Sequence, residues 1–451
     1  MAESPIREAV TAVLHHGDEI LMVRRHPALA AFPGYWAFPG GKVDKADSDA
    51  PHRTTPWCAA VEPRLVEALA RELREEIGFD LDAACEAGDV EAVHLFGNAL
   101  TPPILPVRFN TLFYRIDLKH RPKITLDMGE VDQLRWARPE DLHAEYLDGQ
   151  LLLAPPTSAS VALFAAGGGT EPANVALEEF HKERLPIIQA VHGLRKIPVR
   201  SNTLPPAFHT NCFLIGDEGS NVILVDPSPW NDDELDALTE RMRPFGINEI
   251  FFTHHHPDHN ERADVLARRL GVGIALSADT SARISERSPK FFSGLTQRLV
   301  NDGDIVTYWK GRPVRAIAVP GHDEGQLALM SADRAWCIVG DLIQGVGTVV
   351  IHKPEGNMRR YFESLERIIE LDPKVILPSH GLAMGTTFRL QETLRHRRLR
   401  ESSVLELHRA GRSISEMLDV IYKDLDPRLL PLARDNIESH LDKLREEGAL
   451  V

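Results

Sequence analysis

Cysteine is scarce. Four cysteines in 451 residues (Cys58, Cys85, Cys212 and Cys337), with no Cys-x-x-Cys pair, exclude a disulfide framework and point to reduced, buried thiols in a cytoplasmic chain. Long apolar runs are missing too: none reaches the roughly 18 residues that a membrane-spanning helix needs. The opening MAESPIREAV carries Glu3, Arg7 and Glu8 where a secretory signal needs an apolar core. The expectation is a cytoplasmic chain with no membrane partner. Positive charge is in deficit: 51 Lys and Arg against 66 Asp and Glu leave a net charge of −15. That disfavours binding of nucleic acid or anionic lipid over the whole surface, while leaving room for a local basic groove. Internal repeats and long low-complexity segments are absent as well. What remains is ordinary globular material, 43% hydrophobic and 26% charged, enough for several cores. At about 150 residues per domain the length suggests roughly three domains.

Three regions separate by pattern. In the first, AVTAVL, the turn His16-Gly17-Asp18 and ILMVRR predict a β-hairpin. Further on, Leu65, Leu69, Leu73 and Ile77 recur every fourth residue, which predicts a helix with one apolar stripe. The stretch Ala165 to Pro172 holds three consecutive glycines and reads as a linker. In the second region NVILVDPS, EIFFTHHHPDH, PVRAIAVPGH, AWCIVGD and KVILPSHG each end an apolar strand in a polar cluster, the way α/β enzymes deliver site residues. The third region is mostly helical. It opens with the basic segment RHRRLR at 395–400 and ends in an apolar tail after Gly448.

Histidine is plentiful, with 20 in the chain, and its clustering is the strongest signal. Thr253-His254-His255-His256-Pro257-Asp258-His259 crowds three imidazoles, a carboxylate and a further imidazole onto the loop after a strand. Imidazole and carboxylate donors suit zinc or a similar transition metal. One loop rarely fills two metal spheres, and further donors stand ready at other strand ends: His322 after AIAV, Asp341 after AWCIV and His380 after KVILP. A surface His-rich loop beside unrelated turns would not place three more donors in this way.

This constellation resembles the metallo-β-lactamase superfamily, with its HxHxDH motif followed by separate His, Asp and His ligands, over about 200 residues. The resemblance implies that His254, His256 and His322 hold one metal ion. Asp258, His259 and His380 hold a second, and Asp341 bridges the two. It also implies two Zn²⁺ (or a similar transition metal), a metal-bridging hydroxide as nucleophile, and hydrolysis as the reaction. Asp258 would be a catalytic residue that orients the nucleophile. His255 falls at a variable position and is not expected to be a ligand. Asn260-Glu261 stands where the family often has Gly-Gly. Asp226, ending NVILVDP, matches the early strand-end aspartate that supports the site. The order LIQG, then NMRRYFESL, then PSHG and a helical tail resembles the lactamase-β-2-like branch, which carries a winged-helix-like C-terminal domain. That branch includes a single-strand-specific endoribonuclease, and related fungal proteins are thioesterases acting on carrier-bound polyketides. The arginines Arg395, Arg397, Arg398 and Arg400 would then steer a phosphate-bearing substrate or form a solvated helix face.

The first region has its own signature. Phe38-Pro39-Gly40-Gly41-Lys42-Val43-Asp44 is a strand running into a Gly-rich turn. In Arg71-Glu72-Leu73-Arg74-Glu75-Glu76-Ile77-Gly78-Phe79, Glu72, Glu75 and Glu76 share one helix face. A divalent cation would offset their repulsion, and hard carboxylate oxygens suit Mg²⁺ or Mn²⁺. An ordinary charged helix, with Arg71 paired to Glu75, is the plain alternative. The pattern resembles the Nudix hydrolases over about 150 residues. The second half of their box matches Arg71 to Phe79. The first half is interrupted by an insertion, and its leading glutamate position falls on Pro63, with Glu62 or Glu67 nearby. An interrupted box of this kind resembles the coenzyme A diphosphatase-like branch. The resemblance implies Glu72, Glu75 and Glu76 as metal ligands, Glu75 and Glu76 as catalytic, and Glu130 as an additional ligand or base. The insertion, from about 45 to 62, would flank the cleft.

The expected fold class is a multidomain α/β chain. It has a Nudix α/β/α sandwich at 1–166, a linker at 167–184, a metallo-β-lactamase αββα sandwich at 185–385 and a helical winged-helix-like domain at 386–451. The expected function is metal-dependent hydrolysis of acyl-coenzyme A or related thioesters and esters, with the Nudix domain binding or hydrolysing the nucleotide diphosphate part. The alternative is a single-strand endoribonuclease with a nucleotide-processing Nudix domain, so the expected partner is a small-molecule substrate, with RNA second. Regulation alone would not require every metal-ligand position to be filled.

Overall fold

The computed structural model describes residues 6–49, 61–102, 108–175 and 185–450. The predicted hairpin is formed by Ile6–His16 and Glu19–Arg25, with His16 paired to Glu19 across Gly17 and Asp18. Gly17 takes φ +62, the left-handed conformation that a two-residue hairpin turn demands. Ile6–His16 also runs parallel to Arg108–Leu118, inside an eight-stranded sheet. Side chains alternate across a strand. Val10, Ala12 and Leu14 therefore meet Leu65, Leu69, Leu73 and Ile77 of the helix Pro63–Ile77 on one face. Val13 meets Leu142, Val161 and Phe164, borne on the helices Pro139–Leu147 and Pro155–Ala165, on the other. The result is an α/β/α sandwich. Pro63 occupies the first turn of its helix, where a missing N–H leaves no intrahelical bond unmade.

Of the insertion, Lys45–Ser48 is a short helix; residues 50–60, Cys58 among them, lie outside the described residues. Within the stretch read as a linker, Gly169 lies against the Phe164 ring, Ala173–Asn174 pair with the strand Val90–Leu100, and Val175 is buried in the same core. Residues 176–184 lie outside the described residues.

The second compact unit takes in the described residues from Gly193 onward together with 185–188. It holds two six-stranded sheets. In the first, Ile223–Val225, Glu249–Phe251, Gly273–Leu276 and Gln297–Leu299 are parallel neighbours, and Arg195–Arg200 and His209–Ile215 complete it antiparallel. In the second, Cys337–Gly340 and Val375–Pro378 are parallel and the remaining pairs antiparallel. Leu224, Ile250 and Ile274 pack outward against helices, as do Ala328, Cys337 and Ile376 of the other sheet. Their neighbours Val225, Phe251, Leu329, Ile338 and Leu377 are also buried and by alternation face the opposite way, between the sheets. Asn211 Nδ2 donates to Pro378 O and Leu327 N to Thr253 O, both at 2.9 Å, tying one sheet to the other. This is an αββα sandwich.

Three helices follow: Phe388–Arg409, Ile414–Ile421 and Leu430–Glu446. Leu390 and Leu394 of the first belong to the sandwich core, whereas its Val404 belongs to a separate core with Met417, Ile437, Leu441 and, after Gly448, Leu450. One helix thus serves two cores. Among the described residues Cys212 and Cys337 are buried free thiols, and no helix is long and apolar enough to cross a membrane.

Candidate active site

The histidine loop leaves the strand Glu249–Phe251 and enters a one-turn helix, Pro257–Asn260, with Pro257 in its first turn. Asn260, which departs from the family's usual glycine, has a structural task. Its Nδ2 donates to His256 O at 2.7 Å, and its Oδ1 accepts from Arg287 Nη2 at 2.7 Å. Arg287 Nη1 also donates to His255 O at 2.7 Å, so the loop's carbonyls are held from outside.

The strand ends bring all seven expected ligands together. His254 Nε2 and His322 Nε2 lie 3.0 and 3.1 Å from His256 Nδ1. His380 Nε2 lies 3.5 Å from Asp258 Oδ2 and 3.5 Å from Asp341 Oδ1. His259 Nε2 lies 3.7 Å from Asp341 Oδ1, while Asp341 Oδ2 faces His322 Nε2 at 3.9 Å. Asp341 therefore turns one oxygen to each donor group. His254 also approaches His259 and Asp341 closely enough to join their group. Gly321 keeps His322 in place: its φ is +130, and a Cβ there would stand 2.3 Å from the Tyr361 backbone.

Each imidazole is anchored by its other nitrogen. His259 Nδ1 meets Asp226 Oδ2 at 2.9 Å, His322 Nδ1 meets Val350 O at 2.9 Å, His380 Nδ1 meets His209 O at 2.9 Å, and His254 Nδ1 meets Thr253 Oγ1 at 3.0 Å. Such outer partners fix the ring and its tautomer and leave the inner nitrogen free to ligate. The inner atoms His259 Nε2, His380 Nε2 and Asp341 Oδ1 are buried without a hydrogen-bond partner, a state that native structures rarely tolerate unless an ion completes it. Charge agrees. Burial, reinforced by His259, His256 and His322, pushes His254 well down, and burial together with His256 brings His322 to about 4. Burial opposes ionisation of Asp258 and Asp341, yet the imidazoles beside them hold both below the usual carboxylate range. Burial opposes the charged form of His259 and His380, yet the carboxylates beside them take His259 up to about 10 and raise His380, so these two imidazoles hold protons that a bound transition metal would displace. The residues fit two such ions.

Two acidic partners were not evident in the sequence. Asp323 is fully buried against His255 Nδ1. Glu355 accepts from His256 Nε2 at 2.9 Å and faces His255 Nε2 at 3.3 Å. His255 is thus turned toward these two carboxylates. Asp323 follows a strand-end ligand directly and had that signal; Glu355 stands about 100 residues from its partner in a loop with no pattern.

In the first unit Glu72 and Glu76 are buried over the short strand Gly40–Lys42, and Glu75 is exposed. Gly40 N donates to Glu76 Oε2 at 2.9 Å. Arg71 joins Glu72 at 2.8 Å, Glu75 at 3.0 Å, Asp47 at 3.0 Å and Lys42 O at 3.0 Å. Burial raises Glu72 and takes Glu76 up to about 8, and repulsion from Glu130 adds to both. Glu130 is therefore within electrostatic reach of the helix carboxylates. Among the described residues, sets of three donor atoms within 4.8 Å of one another occur only in the second unit; here Arg71 and Gly40 hold the carboxylates instead. The hard, crowded oxygens are of the type that Mg²⁺ or Mn²⁺ takes.

A Cβ on Gly41 would stand 2.4 Å from Glu72 Oε1, whereas one on Gly40 would stand 2.2 Å from Val10 O at φ +148. The first clash is with a flexible side-chain tip, the second with backbone. Gly40→Ala is therefore expected to lose about 3 kcal/mol of stability or more, from combined overpacking and backbone strain. Gly41→Ala is expected to lose under about 1 kcal/mol while weakening Mg²⁺ binding by displacing Glu72. Urea unfolding and Mg²⁺ titration of both variants check this; equal stability losses would contradict it.

Comparison with known proteins agrees with these geometries. The NUDIX domain model matches residues 5–154, the metallo-beta-lactamase superfamily model 205–380, and the beta-lactamase associated winged helix domain model 413–451. A beta-lactamase-like protein 2 homolog of Drosophila melanogaster is 28% identical over 53% of this chain and 84% of its own. An atrochrysone carboxyl ACP thioesterase of Paecilomyces divaricatus is 25% identical over 53% of this chain and 75% of its own. A hydroxyacylglutathione hydrolase of Brucella anthropi is 27% identical over 38% of this chain and 64% of its own. The chain thus joins a NUDIX domain to a metallo-β-lactamase hydrolase fold that carries its associated winged helix.

Proposed function

We propose that this chain hydrolyses acyl-coenzyme A or a related thioester at the histidine cluster, and that the NUDIX domain binds or cleaves the nucleotide diphosphate part of the same substrate class. The observation that carries the reading is Asp341, one oxygen turned to each of two donor groups, with the inner atoms His259 Nε2, His380 Nε2 and Asp341 Oδ1 buried and otherwise unpartnered. His254, His256 and His322 would hold one ion, Asp258, His259 and His380 the other, with Asp341 between. Two such ions, when bound, polarise the scissile carbonyl and make water nucleophilic near neutral pH. Asp258, its side chain 18% exposed while His259 and His380 are wholly buried, is placed to accept a hydrogen bond from an incoming water and orient it. In the first unit Glu72, Glu75 and Glu76 would hold Mg²⁺ or Mn²⁺, with Glu75 and Glu76 catalytic and Glu130 assisting.

The names of two relatives, a thioesterase and the hydrolase of an acyl-glutathione, support the thioester reading. The ribonuclease reading draws less support from the basic segment. Arg397 is buried, Arg395 pairs with Glu392, Arg398 with Glu366, and Arg400 stacks over Tyr422. Arg397 is withdrawn from solvent, and the exposed Arg395 and Arg398 each already face a carboxylate.

Mass spectrometry of products tests this directly. The metal-supplemented chain is expected to release free coenzyme A from an acyl-coenzyme A mixture. An active NUDIX site would add acyl-phosphopantetheine and adenosine bisphosphate. Cleavage of single-stranded RNA with acyl-coenzyme A left intact would replace this reading with a nuclease.

A further inference from the structure

We propose that the C-terminal helices hold the ligand geometry of one of the two metal positions, through the loop between Val349 and Asn357. The inference rests on the two-metal reading above. Three consecutive carbonyls carry it. Val350 O accepts from His322 Nδ1. On one side Val349 O accepts from Arg397 Nη2, and on the other Ile351 O accepts from Ser439 Oγ at 2.7 Å. Arg397 lies on Phe388–Arg409 and Ser439 on Leu430–Glu446, and both are buried. Arg397 is itself fixed, by Asn436 Oδ1 at 2.8 Å and by the Tyr361 ring beneath it at 5.6 Å. Farther along the loop, Glu355 accepts from His256 Nε2 at 2.9 Å. The stem returns to the terminal helix: Lys353 pairs with Asp442, and Asn357 and Arg359 both reach Glu446, at 3.2 and 3.1 Å.

A peptide held on both sides by buried donors cannot rotate without orphaning one of them. The Val350 carbonyl is therefore a fixed acceptor, and the His322 ring that leans on it is fixed in turn. The loop acts on His322 and His256, which share one donor group. The other group is anchored elsewhere: His259 on Asp226 and His380 on the His209 carbonyl. Arg397, Ser439 and Glu355 are thus positioning residues for one metal position alone.

That selectivity gives the test. The full chain, stripped of metal and kept in excess Mg²⁺, is titrated with Zn²⁺ against a chromophoric chelator, and separately with Co²⁺ while its visible absorption is followed. The parent is expected to bind two equivalents. Ser439→Ala, Arg397→Lys and Glu355→Ala are expected to weaken one equivalent about tenfold or more, change the cobalt spectrum and leave the other equivalent untouched. Glu355→Gln, which keeps a carbonyl acceptor, should restore much of the loss. Arg395→Ala, on the exposed side of the same helix, should change neither. Ser439→Ala and Glu355→Ala remove little packing, so they decide the matter if Arg397→Lys fails to fold. Folded variants that keep both affinities overturn the inference, and so does joint weakening of both equivalents. A parent chain that takes up fewer than two equivalents overturns the two-metal reading itself.

Discussion

Asp258→Ala is expected to reduce thioester hydrolysis by about 10³-fold or more and to leave any diphosphate cleavage at the parent rate. Asp258 Oδ2 is 3.5 Å from His380 Nε2 and its Oδ1 is 3.9 Å from His259 Nε2. Its removal leaves one donor group with two buried imidazoles and no carboxylate of its own. It also removes the group placed to orient water, so binding and chemistry fail together. The glutamate helix shares no residue with this group, and Glu75→Gln should show the reciprocal pattern. Both rates measured on one preparation settle it: loss of both activities in a folded Asp258→Ala chain would end the model of two independent sites.

Asp226→Ala is expected to cost about 3–5 kcal/mol of stability as well as the metal site, a larger structural effect than any ligand substitution. Asp226 is buried and takes three bonds: from Thr253 N at 2.8 Å, from Thr253 Oγ1 at 2.6 Å, and from His259 Nδ1 at 2.9 Å. Its φ of +49 is unusual for a residue with a Cβ. Alanine keeps the strained backbone, removes the acceptor and leaves buried donors unpaired. Asp226→Asn restores one acceptor oxygen but turns an NH₂ toward a donor, and should fall between the two. Urea unfolding with metal titration checks both; a loss under about 1 kcal/mol for the alanine variant would show that these bonds are replaced by water.

The parts legible in the sequence were those with local grammar. The hairpin around Gly17 and the stripe Leu65, Leu69, Leu73 and Ile77 follow from short-range periodicity. The seven donors were legible because they follow apolar strands, and the strand ends of both sheets carry them to one site. Contacts between a side chain and a distant carbonyl leave no such trace. Glu355 to His256 and Arg397 to Val349 join positions separated by 99 and 48 residues. Composition alone does not separate the arginines of RHRRLR: Arg395 and Arg398 stand on a solvated helix face as read, whereas Arg397 is buried. The glycine run after Ala165 reads as a tether, yet Ala173–Asn174 close the chain onto the sheet.

The helix Phe388–Arg409 occupies the interval between the two family matches, which end at residue 380 and resume at 413. No cut along it yields two closed pieces: one leaves Leu390 and Leu394 bare, the other Val404. A recombination event that moved the winged helix to another host would have to carry this helix and leave the donor's sandwich open. The sandwich and the C-terminal module are therefore bound to travel as one heritable block.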